Sequence, residues 1–325
     1  MKSRKDMQTS QDRTDQAVLL IAFGGPECRE DVRPFLTRVT KGRVPQERLE
    51  GVACHYDLFG GKSPVNEVTF AQADGLRQAL ESGGRPMPVY VGMRNWHPLL
   101  VDTLKQMAED GIRSAVGMIM SVFQSTSSWD QYQVEVSSAL SSAGIDLRLT
   151  YTTPFFDRPG FIRTMAEHIL DCRKEIPESH RENVYIVFTA HSLPLSDPQV
   201  TLYEEQALYS ATRIAHRLGC ERWRIAYQSR SGRPQDPWLE PDVNDVLREL
   251  AQDGVTDVTI APIGFVCDNV EVLYDLDVEA RQTAQDEGIR LTRATTVGTD
   301  PEFMETMAEM VRESEQVSGG ESVKV

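Results

Sequence analysis

The feature that most constrains this chain is a repeated alternation. Short apolar runs rich in Val, Ile and Leu are separated by longer segments whose apolar residues recur at helical spacing. The runs are "AVLLIAF", "MPVYVGM", "AVGMIMSVF" and "LRLTYTTPF", then "VYIVFTA", "WRIAYQS", "VTDVTIAPIGF" and "IRLTRATTV". Thr69 to Ser82 and Leu202 to Leu218 are two of the helical segments between them. A near-continuous apolar run is buried on both faces, and strands alternating with helices join into parallel sheets through crossovers. The sequence therefore predicts an α/β fold of two Rossmann-like lobes, each a parallel sheet flanked by helices. The lobes are expected to meet near Phe155 to Gly160, giving a flexible segment 1–16, a first lobe 17–155, a second lobe 156–312 and a loosely ordered tail 313–325 whose sequence is polar and Gly/Ser-rich.

In such sheets ligands bind beyond the carboxyl ends of the strands and between lobes. That places weight on "VFTAHSLP", Val187 to Pro194, an apolar run that stops at His191 before the chain turns away. Charge narrows the kind of ligand. A net charge of -15 and a pI near 4.9 argue against nucleic acid and against docking to anionic lipid, and suit a protein that attracts cations. No stretch approaches the roughly 18 uncharged apolar residues of a membrane span, and no secretory h-region follows the charged amino terminus, so a cytoplasmic location is expected. Five scattered cysteines without C-x-x-C spacing read as reduced thiols.

Several motifs fail on spacing. "FGGKS", Phe59 to Ser63, ends like a phosphate loop, but Tyr56 stands where its first glycine would fall. "FGGP" near Gly24 lacks the G-x-G-x-x-G of a dinucleotide site, and no G-x-S-x-G elbow occurs. His168, His180 and His216 show no ligand spacing and read as surface residues.

What remains is "FVCDNVEVLYDLDVEA", Phe265 to Ala280, directly after a strand. On a helix, Glu271, Asp275 and Glu279 stack at i, i+4 and i+8, with Val270, Leu273, Tyr274, Leu276 and Val278 as the packing face. Such a stripe is either a solvated acidic face or, with His191 at the same end of the sheet, a site for a borderline divalent metal or for proton transfer. In "SRSGRPQDPWLEPDVNDVL", Ser229 to Leu247, Trp238 is either a packing anchor or a wall for a flat ligand.

Taken together, "FTAHSLP", "DPWLEPDVNDVL" and "PIGFVCDNVEVLYDLDVEA", with "LLIAFGGPE", "HYDLFGGKSPVNE" and "VYVGMRNWHP" before them, resemble the ferrochelatase family over residues 17 to 312, in order. The chain is most similar to the soluble type acting on coproporphyrin III. The resemblance implies a monomer that holds a porphyrin between its lobes and inserts Fe²⁺ as substrate with release of two pyrrole protons. Transient contacts with upstream and downstream enzymes of heme biosynthesis are expected. Carried over by position, His191 and Glu271 are the catalytic pair and, with Asp275 and Glu279, the metal-contacting residues. Phe23, Thr40, His55, Tyr56, Ser63, Tyr132 and Trp238 fall at porphyrin-side positions, His55 and Thr40 where the family is often basic.

Three departures matter. Phe23 stands where some relatives carry a tyrosine able to bind the product iron. Asn269 replaces a frequent histidine before Glu271. No cysteine follows Cys267, so no [2Fe-2S] cluster is expected. Protoporphyrin IX is the alternative substrate. A sirohydrochlorin-type cobalt chelatase would normally lack "DPWLEPDVNDV", and a non-catalytic porphyrin or heme carrier would have lost His191 or Glu271.

Overall fold

The computed structural model describes residues 15–231 and 235–318. Two four-stranded, wholly parallel sheets form. The first holds β1 (Gln16–Ala22), β2 (Val89–Met93), β3 (Ser114–Ile119) and β4 (Arg148–Tyr151), in the order β2-β1-β3-β4. The second holds β5 (Tyr185–His191), β6 (Trp223–Gln228), β7 (Asp257–Ala261) and β8 (Arg290–Arg293), in the order β6-β5-β7-β8. One topology is thus laid down twice without a visible sequence repeat. β1 and β5 are central and their interior residues are buried, as two-sided packing under crossover helices requires.

Each strand coincides with an expected run, with Gln16, Ser114 and His191 one residue outside, and several runs continue past their strands into loops. β1 begins at Gln16, inside the segment expected to be flexible; the Asp15 carbonyl accepts from Arg113 and Ser114 N–H, extending the ladder to β3. Residues 1–14 lie outside the described part of the chain. The two anticipated helices start earlier, at Val65 and Val200.

The tail departs most from expectation. The helix Pro301–Ser318 runs past residue 312 and packs on the first-lobe helix Val65–Ser82 and on the helix Pro159–Arg173. Beyond residue 312, Glu315 pairs with Arg85 at 2.5 Å and Glu313 with Arg158 at 2.7 Å. Composition pointed to a loose end, but two ion pairs to distant residues and an apolar stripe over Phe303, Met307 and Val311 hold it. One apolar cluster consequently joins both lobes, including Val18 and Leu20 of β1, Ile186 and Phe188 of β5, and the rings of Phe155, Phe161 and Phe303. Gln72, fully buried, donates its side-chain N–H groups to the Val266 and Gly298 carbonyls, 3.0 and 2.9 Å away.

The chain after β7 passes so close to β5 that a Cβ on Gly264 would lie 2.9 Å from both Cα and Cβ of Ala190. Gly264→Val should therefore cost about 1–3 kcal/mol, as overpacking does. It should also shift the strand end that carries His191. Urea unfolding reads the first effect, and a drop in activity larger than the unfolded fraction explains reads the second.

Candidate functional site

In both sheets the chain crosses to one side of the first strand and then to the other, so a crevice opens at that strand's carboxyl end. In the first lobe this end delivers Phe23, a large apolar side chain left 42% exposed. In the second it delivers His191.

The backbone around His191 is pinned from several directions. Tyr203 Oη donates to the His191 carbonyl at 3.0 Å, Ser192 N–H donates to Gln228 O at 2.7 Å, and Ser192 Oγ donates to Leu239 O at 2.9 Å. His191 Nδ1 lies 2.5 Å from Ser192 O. A carbonyl can only accept, so Nδ1 carries the proton and the neutral ring keeps its lone pair on Nε2. Nε2 lies 3.9 Å from Glu271 Oε2. The site thus offers an imidazole lone pair beside a carboxylate, able to take a proton or to ligate a divalent ion.

Glu271 reaches this place because Asn269 starts the helical segment, its Oδ1 accepting from Val272 N–H at 2.9 Å. That gives the residue standing in place of a histidine a definite capping role. Beyond it the expected regular helix is not what forms. Val270–Val272 leads into a π-helical stretch, Leu273–Glu279, before Ala280–Asp286 resumes α-helix. Val272, Leu276 and Ala280 form the buried row, one position along from Glu271, Asp275 and Glu279, whereas Leu273, Tyr274 and Val278 are only half-buried. π-Turns inside α-helices are rare and occur frequently at functional sites.

The acids of this segment divide into two groups. Asp268 and Asp277 both grip Arg293, at 3.0 and 2.8 Å, and Thr296 Oγ1 donates to Asp268 at 3.1 Å. Their charge is spent on structure. Glu271 instead faces His191, and Asp275 and Glu279 take no part in the Arg293 pairs. Asp275 accepts from Ser229 Oγ and, at 3.4 Å, from Gln228 Nε2. Burial, reinforced by the charges of Glu271 and Glu279, pushes its carboxyl up to about 7 against the pull of the Ser229 hydrogen bond. Burial, with the charge of Asp242, also raises Glu279. Ser229 holds φ at 62°, a left-handed conformation unusual for a side chain with a Cβ, directly beside Asp275. Sequence reasoning missed Gln228, Ser229 and Arg293, because nothing in their spacing ties them to the acidic segment.

The remaining candidates are placed unevenly. Phe23 packs edge-on to Phe35, and Phe35 to Tyr56 and Trp96, forming an aromatic wall. Tyr56 is buried, and its phenol is held above its usual range by burial and by the nearby Glu271. His55 stacks on Tyr274 with centroids 3.5 Å apart, a contact from the first lobe onto the π-turn. Burial lowers its pKa, so this histidine does not supply the cation common at its position. Thr40 spends its hydroxyl on Leu36 O at 2.8 Å, within its own helix. Ser63 and Tyr132 are nearly enclosed, Ser63 against Gly25 and Tyr132 beneath the Arg94 guanidinium. The strap carrying Trp238 lies along the chain after His191, with Leu239 N–H donating to Leu193 O at 2.8 Å and Leu195 N–H to Pro237 O at 2.9 Å.

Two of the features set aside on sequence are accounted for by local structure. "FGGKS" ends a helix: Gly61 N–H donates to Tyr56 O at 2.8 Å, and both Gly60 and Gly61 have positive φ. His168 and His180 are structural pins, His168 Nδ1 lying 3.2 Å from Thr295 O and His180 Nδ1 2.9 Å from the buried Asp257. A cavity of about 510 Å³ opens beside Ser192 and is lined by Glu240, Asp242, Asp245 and Glu249. It lies off the His191–Glu271 pair. Three of its acids are already engaged: Asp242 caps a helix, Asp245 pairs with Arg248 and Glu249 with Arg224.

Asp275 makes a stability prediction with a definite sign. Its folded pKa is raised, so between about 4 and 7 the folded state holds more protons than the unfolded one, and this group's contribution to stability falls as pH rises through that window. Asp275→Asn should therefore melt above the parent at pH 8, with the difference vanishing near pH 4. Calorimetric scans across pH check it, and a gap independent of pH would contradict it.

The comparisons with known proteins agree with this geometry. The family model described as ferrochelatase matches residues 15–315. The protein from Mycolicibacterium smegmatis named coproporphyrin III ferrochelatase is 41% identical over 302 residues, covering 91% of this chain and 89% of that one. Its namesake from Frankia alni is 44% identical over 313 residues, covering 91% and 79%. Among solved structures, the sirohydrochlorin chelatase SirB from Bacillus subtilis superposes with a TM-score of 0.59 at 12% identity, covering 94% of this chain and 98% of that one, a likeness of fold alone. With a family match spanning nearly the whole described chain and relatives above 40% identity, the chain belongs to the ferrochelatase family.

Proposed function

We propose that the protein inserts Fe²⁺ into coproporphyrin III, releasing two pyrrole protons. The observation that carries this reading is His191 Nε2, its lone pair directed by the Nδ1 hydrogen bond, 3.9 Å from Glu271 at the head of a row of three carboxylates. The names of the relatives support the substrate, as does the absence, among the described helices, of one long and apolar enough to cross a membrane.

In this reading iron is a substrate, passed along Glu279 and Asp275 to Glu271 and His191. Metallation of a flat, doubly protonated ring requires ruffling, so that a nitrogen lone pair points at the metal. In this reading peripheral contacts with the ring, drawn from Phe23, Thr40, His55, Tyr56, Ser63, Tyr132 and Trp238, supply the strain energy. His191 accepts one pyrrole proton at Nε2 and the Glu271 carboxylate beside it accepts the other, and both pass to solvent as the iron is bound by the ring nitrogens. Phe23 offers no oxygen to the iron of the product. We carry forward as part of this proposal a monomeric chain, no iron-sulfur cluster, a cytoplasmic location and transient contacts within the pathway.

His191→Ala should lower metal insertion by about 10²–10⁴-fold, the range for a lost general base, while porphyrin affinity stays within a few-fold because ring contacts are peripheral. Anaerobic Fe²⁺ insertion followed by loss of free-base absorption tests it, with coproporphyrin III and protoporphyrin IX compared side by side. Preference for protoporphyrin would keep the reaction and overturn the substrate. Tight binding of both without turnover would indicate a carrier.

A further inference from the structure

Gln228 is a polar side chain at the site with an unanswered requirement. It ends β6 opposite His191 of β5, is 1% exposed, and leaves its amide oxygen with no hydrogen-bond partner among the described residues. Its amide nitrogen reaches Asp275 Oδ2 only at 3.4 Å, long for such a bond. A buried acceptor left unpaired is costly, so its presence at the carboxyl end of β6 calls for a partner.

The neighbouring acids call for a donor. Among the described residues no three His, Cys, Asp or Glu side chains converge to hold a metal ion. A divalent ion travelling along Glu279, Asp275 and Glu271 therefore meets few protein ligands at each station and needs a neutral oxygen to complete its shell. Hard and borderline divalent ions accept amide carbonyls readily. With metal–oxygen bonds of about 2.1 Å, adjacent ligand atoms sit about 3.0 Å apart. The 3.4 Å between the Gln228 amide and Asp275 Oδ2 is close to that spacing.

We propose that Gln228 is an oxygen ligand for the metal substrate at Asp275, its amide turning end for end so that nitrogen faces the bare carboxylate and oxygen faces the ion. The inference rests on the ferrochelatase reading above and adds a metal-contacting residue outside the acidic segment. A neutral donor holds the ion without adding charge, which lets it pass on to Glu271 and His191. Ser229, next in the chain, keeps its hydrogen bond to the same carboxylate and fixes it during the exchange.

The test separates metal from porphyrin. In Fe²⁺ insertion with coproporphyrin III, Gln228→Leu should raise the KM for metal about 10-fold, the lower end of what supporting groups contribute at metal sites. The KM for porphyrin and kcat at saturating metal should stay within about twofold. Gln228→Glu, which retains an oxygen, should show a metal KM no higher than the parent. If leucine is not tolerated by the fold, Gln228→Met gives the same comparison. Titration of the porphyrin-free protein with Co²⁺, followed by its visible absorption, should show the same order of affinities without turnover. An unchanged metal KM in Gln228→Leu, or one equally raised in Gln228→Glu, overturns the proposal. Asp275→Asn distinguishes the two levels: if it raises metal KM and Gln228→Leu does not, the glutamine proposal fails alone; if neither variant does, metal passage along the acidic row fails as well.

Discussion

Each half of this chain packs an apolar cluster of its own, but the largest cluster is shared between the two, and the placement of the site follows from that. The apolar cluster that begins on β1 continues through Phe155, Phe161 and Phe303 to β5. At its edge the buried Gln72 bonds two second-lobe carbonyls from a first-lobe helix. One of these, Val266 O, lies five residues before Glu271. Shared packing therefore sets how the lobes sit, and a hydrogen bond across the seam sets where the acidic segment starts. A site whose parts come from two sheets gains its precision from this seam, since close-packed interiors transmit small shifts rather than absorb them.

Placing many carboxylates on one short segment is an electrostatic problem, and Arg293 divides it. Held at 11% exposure by Asp268 and Asp277, it neutralises the acids that face the protein and takes no part in pairing those that face the site. Breaking such a buried arrangement from one side is far more damaging than never having made it. Burial, reinforced by the charges of Glu271 and Glu279, then raises the proton affinity of Asp275, the most recessed of them. A row of acids without its own cation is one that an incoming cation can stabilise.

Much of this was legible beforehand, for identifiable reasons. Apolar runs and period-3.6 patterns are local, so the eight strand runs and their parallel, helix-crossed pairing could be read from the chain, and the end of "VFTAHSLP" placed His191 at a strand terminus. The stripe of Glu271, Asp275 and Glu279 was visible as spacing. Its π-helical form was not, because a four-residue repeat fits both helix types until tertiary packing selects one. Nor was the split between structural and uncompensated acids visible, since it depends on Arg293, remote in sequence from Asp268. Gln228 and Ser229 were hidden for the same reason: they meet Asp275 only through the order of β6, β5 and β7. Composition misjudged residues 313–318, where polar side chains turned out to be paired rather than loose.

The return of the helix Pro301–Ser318 to the first lobe carries a consequence for biosynthesis. The ribosome delivers β1 almost at the outset, but the helix that covers part of the sheet built on it comes last. Through most of translation the first lobe has strands to pair and an apolar surface that nothing yet covers. Domain-wise folding during synthesis is usual for multidomain chains, but here the cluster shared by the lobes is complete only when the helix Pro301–Ser318 is in place.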